Sequence, residues 1–207
     1  RAWTSAAPTR GADLEDAESS EALPLEAPEA TVPDSARSTR TASMRDFRGR
    51  DKSAEAWKSF YEKRDYAAAV AAAETAGIDA LLNRLDLEDL WRLANASRFA
   101  HRGDVARRTL LAVRARFAES PRASTAAFLL GRGELEDRGH AEIARGWFET
   151  YLREASDGPL AEEALGRLME ACDKAGSAGD ARRYAERYLS RYQDGLFAAL
   201  AKTILTR

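Results

Sequence analysis

Residues 143–176 read IARGWFETYLREASDGPLAEEALGRLMEACDKAG. Ile143, Trp147, Phe148, Tyr151 and Leu152 recur every three to four residues, the spacing of one buried helix face. Asp157-Gly158-Pro159 then interrupts the pattern, and the proline suits a helix start because its missing N–H is not needed there. Leu160, Ala164, Leu165, Leu168, Met169 and Cys172 form a second apolar face that runs out near Gly176. The stretch predicts the end of one helix hairpin and the start of the next.

The same alternation extends in both directions. Towards the C-terminus, Asp180, Tyr184, Tyr188, Leu189 and Tyr192 predict a helix, Asp194-Gly195 a break, and Phe197, Leu200, Ile204 and Leu205 a last helix with Lys202 and Arg207 facing water. Towards the N-terminus, Ser120-Pro121 opens a helix carrying Phe128, Leu129, Leu130 and Leu135 that ends at Gly139. Before it, Asp104 is placed as the cap of a helix with Leu110, Leu111, Val113 and Phe117 inward. Asp86 or Asp89 starts a helix through Leu90, Leu93, Ala94 and Phe99 to a break at Gly103. Ile78, Leu81, Leu82 and Leu85 make a short apolar piece; Tyr66, Val70 and Ala73 a helix that follows a break at Arg64-Asp65 and is ended by Gly77; Trp57, Phe60 and Tyr61 the first face after Asp51. No run alternates apolar and polar residues as a strand would.

The breaks at Ser120-Pro121, Gly158-Pro159 and Gly195-Leu196 are 38 and 37 residues apart, with inner turns read at Gly103-Asp104, Gly139-His140 and Gly179-Asp180. A period of this size marks stacked helix pairs, since one pair cannot bury its own apolar face. These residues resemble the tetratricopeptide repeat (TPR) family. Leu130-Gly131 and Leu165-Gly166 fit its Leu-Gly pair in the first helix. Ala106, Ala144 and Ala181 fit its small residue early in the second helix, and Leu110, Phe148 and Tyr184 or Tyr188 its later large one. The resemblance implies an all-α, right-handed α-α solenoid of about four TPR-like helix pairs over residues 51–207, with a C-terminal capping helix. The phrase from Tyr151 to Leu165 is also similar to repeat modules of bacterial envelope lipoproteins and of anti-sigma and FecR-type regulators. That likeness implies the extracytoplasmic part of a membrane-anchored regulator or envelope assembly protein, periplasmic or envelope-associated, with a membrane anchor upstream of residue 1. The alternative is a cytoplasmic TPR adaptor whose N-terminal tail docks on a partner.

Residues 1–50 have a different character. Four of the six prolines precede residue 34, and the large apolar residues stand alone. Such a stretch buries too little surface to offset its ordering entropy and reads as a linker. Its charge is polarised: eight acidic and no basic residues from Asp13 to Asp34, then five Arg and one Asp from Arg37 to Arg50. That polarity also suits a segment that docks on a partner. Residues 51–207 are neutral, with 25 basic and 25 acidic residues, which argues against nucleic-acid binding through bulk charge. The chain has 43 Ala and 27 Arg against 5 Lys and 3 Ile, which reads as codon pressure in a GC-rich bacterial genome.

Little in the composition supports catalysis. Cys172 is the only cysteine, so a disulfide framework and a CxxC site are excluded. His101, at a helix end, and His140, in a turn, have no second ligand at i+4. Glu134, Glu136 and Asp137, and likewise Glu162 and Glu163, are read as exposed carboxylates paired with Arg132, Arg138 and Arg167. Arg107, Arg108, Arg114 and Arg116, and Arg182, Arg183, Arg187 and Arg191, are read as solvated basic faces. The expected activity is non-enzymatic protein or peptide binding, with no cofactor and no metal. TPR proteins bind in a groove lined by their first helices. The positions placed there are Arg92, Asn95, Arg98, Arg132, Glu136, Glu163, Arg167 and Glu170, side chains suited to gripping a peptide backbone or carboxylate.

Overall fold

The computed structural model describes residues 55–207; the linker or docking segment read over residues 1–50 lies outside them. The described residues are helical throughout, with no strand among them. Residues 55–62 form α1, followed by α2 (Tyr66–Ala76), α3 (Ile78–Arg84), α4 (Leu87–Phe99), α5 (Gly103–Arg116), α6 (Pro121–Glu136), α7 (Ala141–Glu154), α8 (Ala161–Lys174), α9 (Ala178–Arg191) and α10 (Ala198–Thr206). Each helix from α4 to α10 packs on the next one in the chain, and α6 also reaches α8, as α8 reaches α10. This is a stack of four pairs (α1/α2, α4/α5, α6/α7, α8/α9), with α3 inserted after the first pair and α10 closing the last.

The four pairs turn in the same way. Arg64, His101, Gly139 and Gly176 all have positive φ, at 60°, 55°, 66° and 74°, and lie 37, 38 and 37 residues apart. At three of them the next residue's N–H bonds back five residues: Asp65 to Phe60, Arg102 to Ser97 and Ser177 to Cys172, at 3.0, 2.8 and 2.9 Å. These are Schellman turns, in which a left-handed residue lets the chain satisfy the last carbonyls of the helix. The remaining turn reaches back six residues, from His140 N–H to Glu134 at 2.8 Å. Its extra residue accounts for the single spacing of 38.

Several local expectations need correction. Gly103 is the first residue of α5, and the break falls at His101. Asp104 does not cap α5; Arg102 holds that position, and Asp104 lies in the first turn. Gly179 is inside α9, and the turn glycine is Gly176. Two of the four turns use a side-chain-bearing residue: the break at Arg64-Asp65 agrees with the sequence pattern, whereas glycine drew the second and fourth breaks too far along the chain, to Gly103 and Gly179. Of the two candidate starts for α4, Asp86 is the cap, accepting from Asp89 N–H at 2.8 Å. Asp89 is buried and pairs with Lys58 of α1 at 2.6 Å.

The two Leu-Gly pairs do not share a register. Gly131 lies eight residues before Gly139, and Gly166 ten before Gly176. Gly131 makes room for the Phe148 ring, 2.8 Å from where a Cβ would stand, whereas Gly166 makes room for Phe197. The cause is the connector lengths. Residues 117–120 join α5 to α6, and the longer stretches 155–160 and 192–197 join α7 to α8 and α9 to α10, so α6 begins early and runs to 16 residues.

The longer connectors share one device. Tyr151 Oη accepts the N–H of Leu160 at 3.1 Å, and Tyr188 Oη that of Phe197 at 3.0 Å. Leu160 and Phe197 are the N-caps of α8 and α10, and neither side chain can bond the helix N–H groups. Gly158 and Gly195 pass directly over these hydroxyls, where a Cβ would collide. Burial, reinforced by Glu162, pushes the Tyr188 hydroxyl up to about 12.

The core forms two clusters that meet where Leu129 and Trp147 pack against both. Its largest fully buried members include Trp57, Phe128, Phe148, Tyr151 and Tyr188. Cys172 is wholly buried, and desolvation raises its thiol to about 11. α10 buries Ala198, Ala201 and Ile204, with Phe197 and Leu200 half-buried and Lys202 and Arg207 exposed, the capping role expected of it.

Candidate functional site: a cleft between neighbouring first helices

Among the described residues a cavity of about 580 Å³ opens between the end of α4, the start of α5 and the second half of α6. Leu110, Leu129 and Leu130 give it apolar surface, and Arg98, Arg107, Arg132 and Arg138 supply positive charge. Asp104, Glu134, Glu136 and Asp137 supply as many carboxylates. The charge is nevertheless unevenly committed.

Glu134 is spoken for. Its polarity led to the expectation of an exposed side chain, but it is buried, only 2% exposed. Arg107 Nε donates to its Oε1 at 2.7 Å, and His140 Nδ1 lies 3.0 Å from its Oε2. Desolvation pushes its carboxyl up, but the hydrogen bonds from Arg107 and His140 and the charges of Arg107 and Arg138 outweigh this and hold it below the usual carboxylate range. His140 is therefore partnered rather than simply solvated. Asp104 is taken by Arg138.

Arg98 is in the opposite condition. The only hydrogen bond of its guanidinium among the described residues is a long one to Asn95 Oδ1, 3.3 Å, and no carboxylate there lies within ion-pair distance. Burial and the positive charge of Arg132 hold its guanidinium below its ordinary value, with Glu136 and Asp137 acting the other way. Arg132 meets Glu136 only at 3.4 Å, and its Nε is buried without an acceptor. Two under-neutralised guanidiniums on successive first helices thus face one cavity. Such a pair attracts an oxyanion, and the planar fork of Arg suits a carboxylate.

The eight positions placed in the groove separate into groups. Arg98, Arg132 and Glu136 line the cavity, and Asn95 steadies Arg98. Glu163, Arg167 and Glu170 gather on α8 and join the others through Glu136, 2.9 Å from Arg167. Arg92 stands apart, paired with Glu88 and Asp89, each at 3.5 Å. The sequence reading missed Arg107, Glu134 and His101 as members of this region. The one-residue excess in the repeat spacing was the signal that the turn beside α6 differs.

The basic faces also need correction. Arg114 chelates Glu154 at 2.8 and 3.0 Å and donates to the Ala123 carbonyl; Arg116 donates to the Leu82 carbonyl at 2.6 Å. Arg108 pairs with Asp79 of α3. These arginines tie successive units together. Arg182 and Arg187 are exposed, as expected. Among the described residues no group of three or more His, Cys, Asp or Glu is placed to hold a metal ion, and no helix is long and apolar enough to cross a membrane.

No family model and no curated protein matches the chain. Solved structures do. The nearly identical TPR-like repeats assigned to a kinesin light chain of Podosopora anserina superpose with a TM-score of 0.52 at 16% identity, covering 76% of this chain and 83% of that one. A single-substitution variant of that protein gives the same values. The fold is that of TPR-like repeats. Within it, the cleft lies on the first helices of the second and third TPR-like pairs, next to the turn that carries the extra residue. One complete TPR-like unit, from α8 to the start of α10, spans 37 residues against about 34 in the usual motif. The difference fits the six-residue connector that the tyrosine hydroxyls fasten.

Proposed function

We propose that this chain is a protein-interaction scaffold and that the Arg98–Arg132 cleft is where it takes an acidic segment of a partner. The observation that carries this reading is the absence, among the described residues, of any carboxylate on Arg98, together with the buried, unpartnered Nε of Arg132 beside it. A half-buried guanidinium without an anion is partly desolvated at a cost, and a partner's carboxylate offsets that cost on binding. Leu129 and Leu130 offer the apolar contact that an extended peptide needs next to its charged groups. The test is selection from a displayed random octapeptide library. The wild-type chain is expected to enrich sequences with closely spaced Asp or Glu, and Arg98→Ala/Arg132→Ala to lose that enrichment. Equal enrichment by both proteins would refute the reading.

We also propose a place in the bacterial cell envelope, as the extracytoplasmic part of a membrane-anchored regulator or assembly protein. The similarity of the Tyr151–Leu165 phrase to envelope repeat modules and the acidic, proline-containing stretch before residue 34 support it. Fractionation of the native cells tests this. Recovery with the envelope is expected; recovery in the cytosol would favour a cytosolic adaptor.

A further inference from the structure

Glu136 stands where its own helix disfavours it. It is the last residue of α6, and with Glu134 and the C-cap Asp137 it places three carboxylates at the negative end of the helix, with no basic residue in the last turn. Glu134 has an evident structural use. Glu136 is exposed and lies between two guanidiniums, 2.9 Å from Arg167 Nη2 and 3.4 Å from Arg132 Nη2. Arg167 does not depend on it, because Glu170 lies at 3.2 Å and Glu163 at 3.8 Å. Arg132 has no other carboxylate within ion-pair distance among the described residues.

We propose that Glu136 is a built-in competitor that sets the affinity of the cleft for acidic segments, its carboxylate holding the place on Arg132 that a partner's carboxylate would take. This rests on the reading that the cleft receives an acidic segment. A single carboxylate arriving at Arg132 only exchanges for Glu136 and gains little. A second, closely spaced one finds Arg98 uncommitted. Glu136, between Arg132 and Arg167, therefore lowers the gain of an acidic segment that engages both guanidiniums and leaves the cleft a shallow, salt-sensitive affinity.

Glu136→Gln isolates this effect. It removes the charge, keeps an acceptor for Arg167, and relieves the helix end, so the melting temperature is expected to hold or rise slightly. The full chain is titrated by fluorescence anisotropy with fluorescein-labelled hexaglutamate, and with hexaglutamine as the uncharged control. Wild type is expected to bind hexaglutamate weakly and in an Arg98-dependent way. Glu136→Gln should bind it about fivefold more tightly, the scale of one partly exposed ion pair, and Glu136→Gln/Arg98→Ala should lose the gain. Arg98-dependent binding by wild type that Glu136→Gln leaves equal or weaker would overturn the competitor role while sparing the cleft. A gain that survives Arg98→Ala would overturn it too, since added net charge alone would explain it. No hexaglutamate binding by either protein would overturn the cleft reading itself.

Discussion

Arg107 Nε lies 2.7 Å from Glu134 Oε1, joining α5 to a carboxylate on α6 that is almost wholly out of water. Removing the cation strands the anion. Arg107→Ala is expected to cost about 2 kcal/mol at pH 7, below the roughly 3–5 kcal/mol of a fully buried pair because Arg107 is itself partly exposed. Glu134→Gln should cost less, as the amide still accepts from Arg107. Glu134 is held below the ordinary carboxylate range, so its contribution is complete above the unfolded value of about 4.3 and is lost as pH falls through the lower folded value. Urea unfolding should accordingly show the Arg107→Ala penalty at pH 7 and a smaller one near pH 3. A penalty independent of pH would contradict the assignment.

Tyr188 and Gly195 form a couple in which each requires the other's shape. Tyr188→Phe removes the acceptor of the Phe197 N–H and the donor to Glu162 at 2.8 Å, for an expected loss of about 1 to 2 kcal/mol. Gly195→Ala drives a Cβ into the Tyr188 hydroxyl and should cost about 1 to 3 kcal/mol. The double variant should cost less than the sum, because the deletion removes one of the two oxygens, the other being Glu162 Oε1, that the methyl would meet. Strict additivity in thermal melts would mean that the two do not meet.

His101 occupies a left-handed turn, φ 55°, where another repeat of the same stack has Gly176. A β-carbon is disfavoured there by roughly 1 kcal/mol. His101→Gly should therefore raise stability by about 0.5 to 1 kcal/mol, and Arg64→Gly likewise, the added chain entropy of glycine offsetting part of the gain. Destabilisation of the His101 variant would point to a role for its imidazole in the neighbouring cleft.

Ile204 is the side chain through which α10 closes the stack. It is buried while Lys202, two residues earlier, is exposed. Ile204→Ala is expected to lower stability by about 2 kcal/mol, and Lys202→Ala to leave it within about 0.5 kcal/mol. Leu200, named with it in the sequence reading, is only half-buried, so Leu200→Ala should fall between. Matching melting temperatures for the three variants would remove the capping role.

Cys172, buried and with its thiol raised to about 11, should resist alkylation by iodoacetamide at pH 8 in the native protein and react on unfolding in urea. Rapid native labelling would show that α8 opens readily.

The helix order, the connectors and the capping helix were legible because they depend on local chemistry. Apolar residues at helical spacing and Pro or Gly at breaks act over a single turn, and their recurrence announces stacking. The inner turns were partly legible: Gly139 and Gly176 mark themselves and the apolar pattern breaks at Arg64-Asp65, whereas His101 takes the same left-handed conformation with a side chain that gives no such mark. The shared period then shows what identity hides.

Much less of the cleft could be read. Glu134 and Glu136, two residues apart, look alike as letters, yet one is buried on Arg107 and the other lies exposed between Arg132 and Arg167. The sequence by itself determined that the chain is a stack of amphipathic helix pairs, because hydrophobic burial and backbone bonding are decided within a few residues and repeated. Only the tertiary structure decided which of the many Arg and Glu side chains neutralise one another and which are left over. Ion pairing acts between side chains about 30 residues apart in the chain, a separation over which local pattern carries no information.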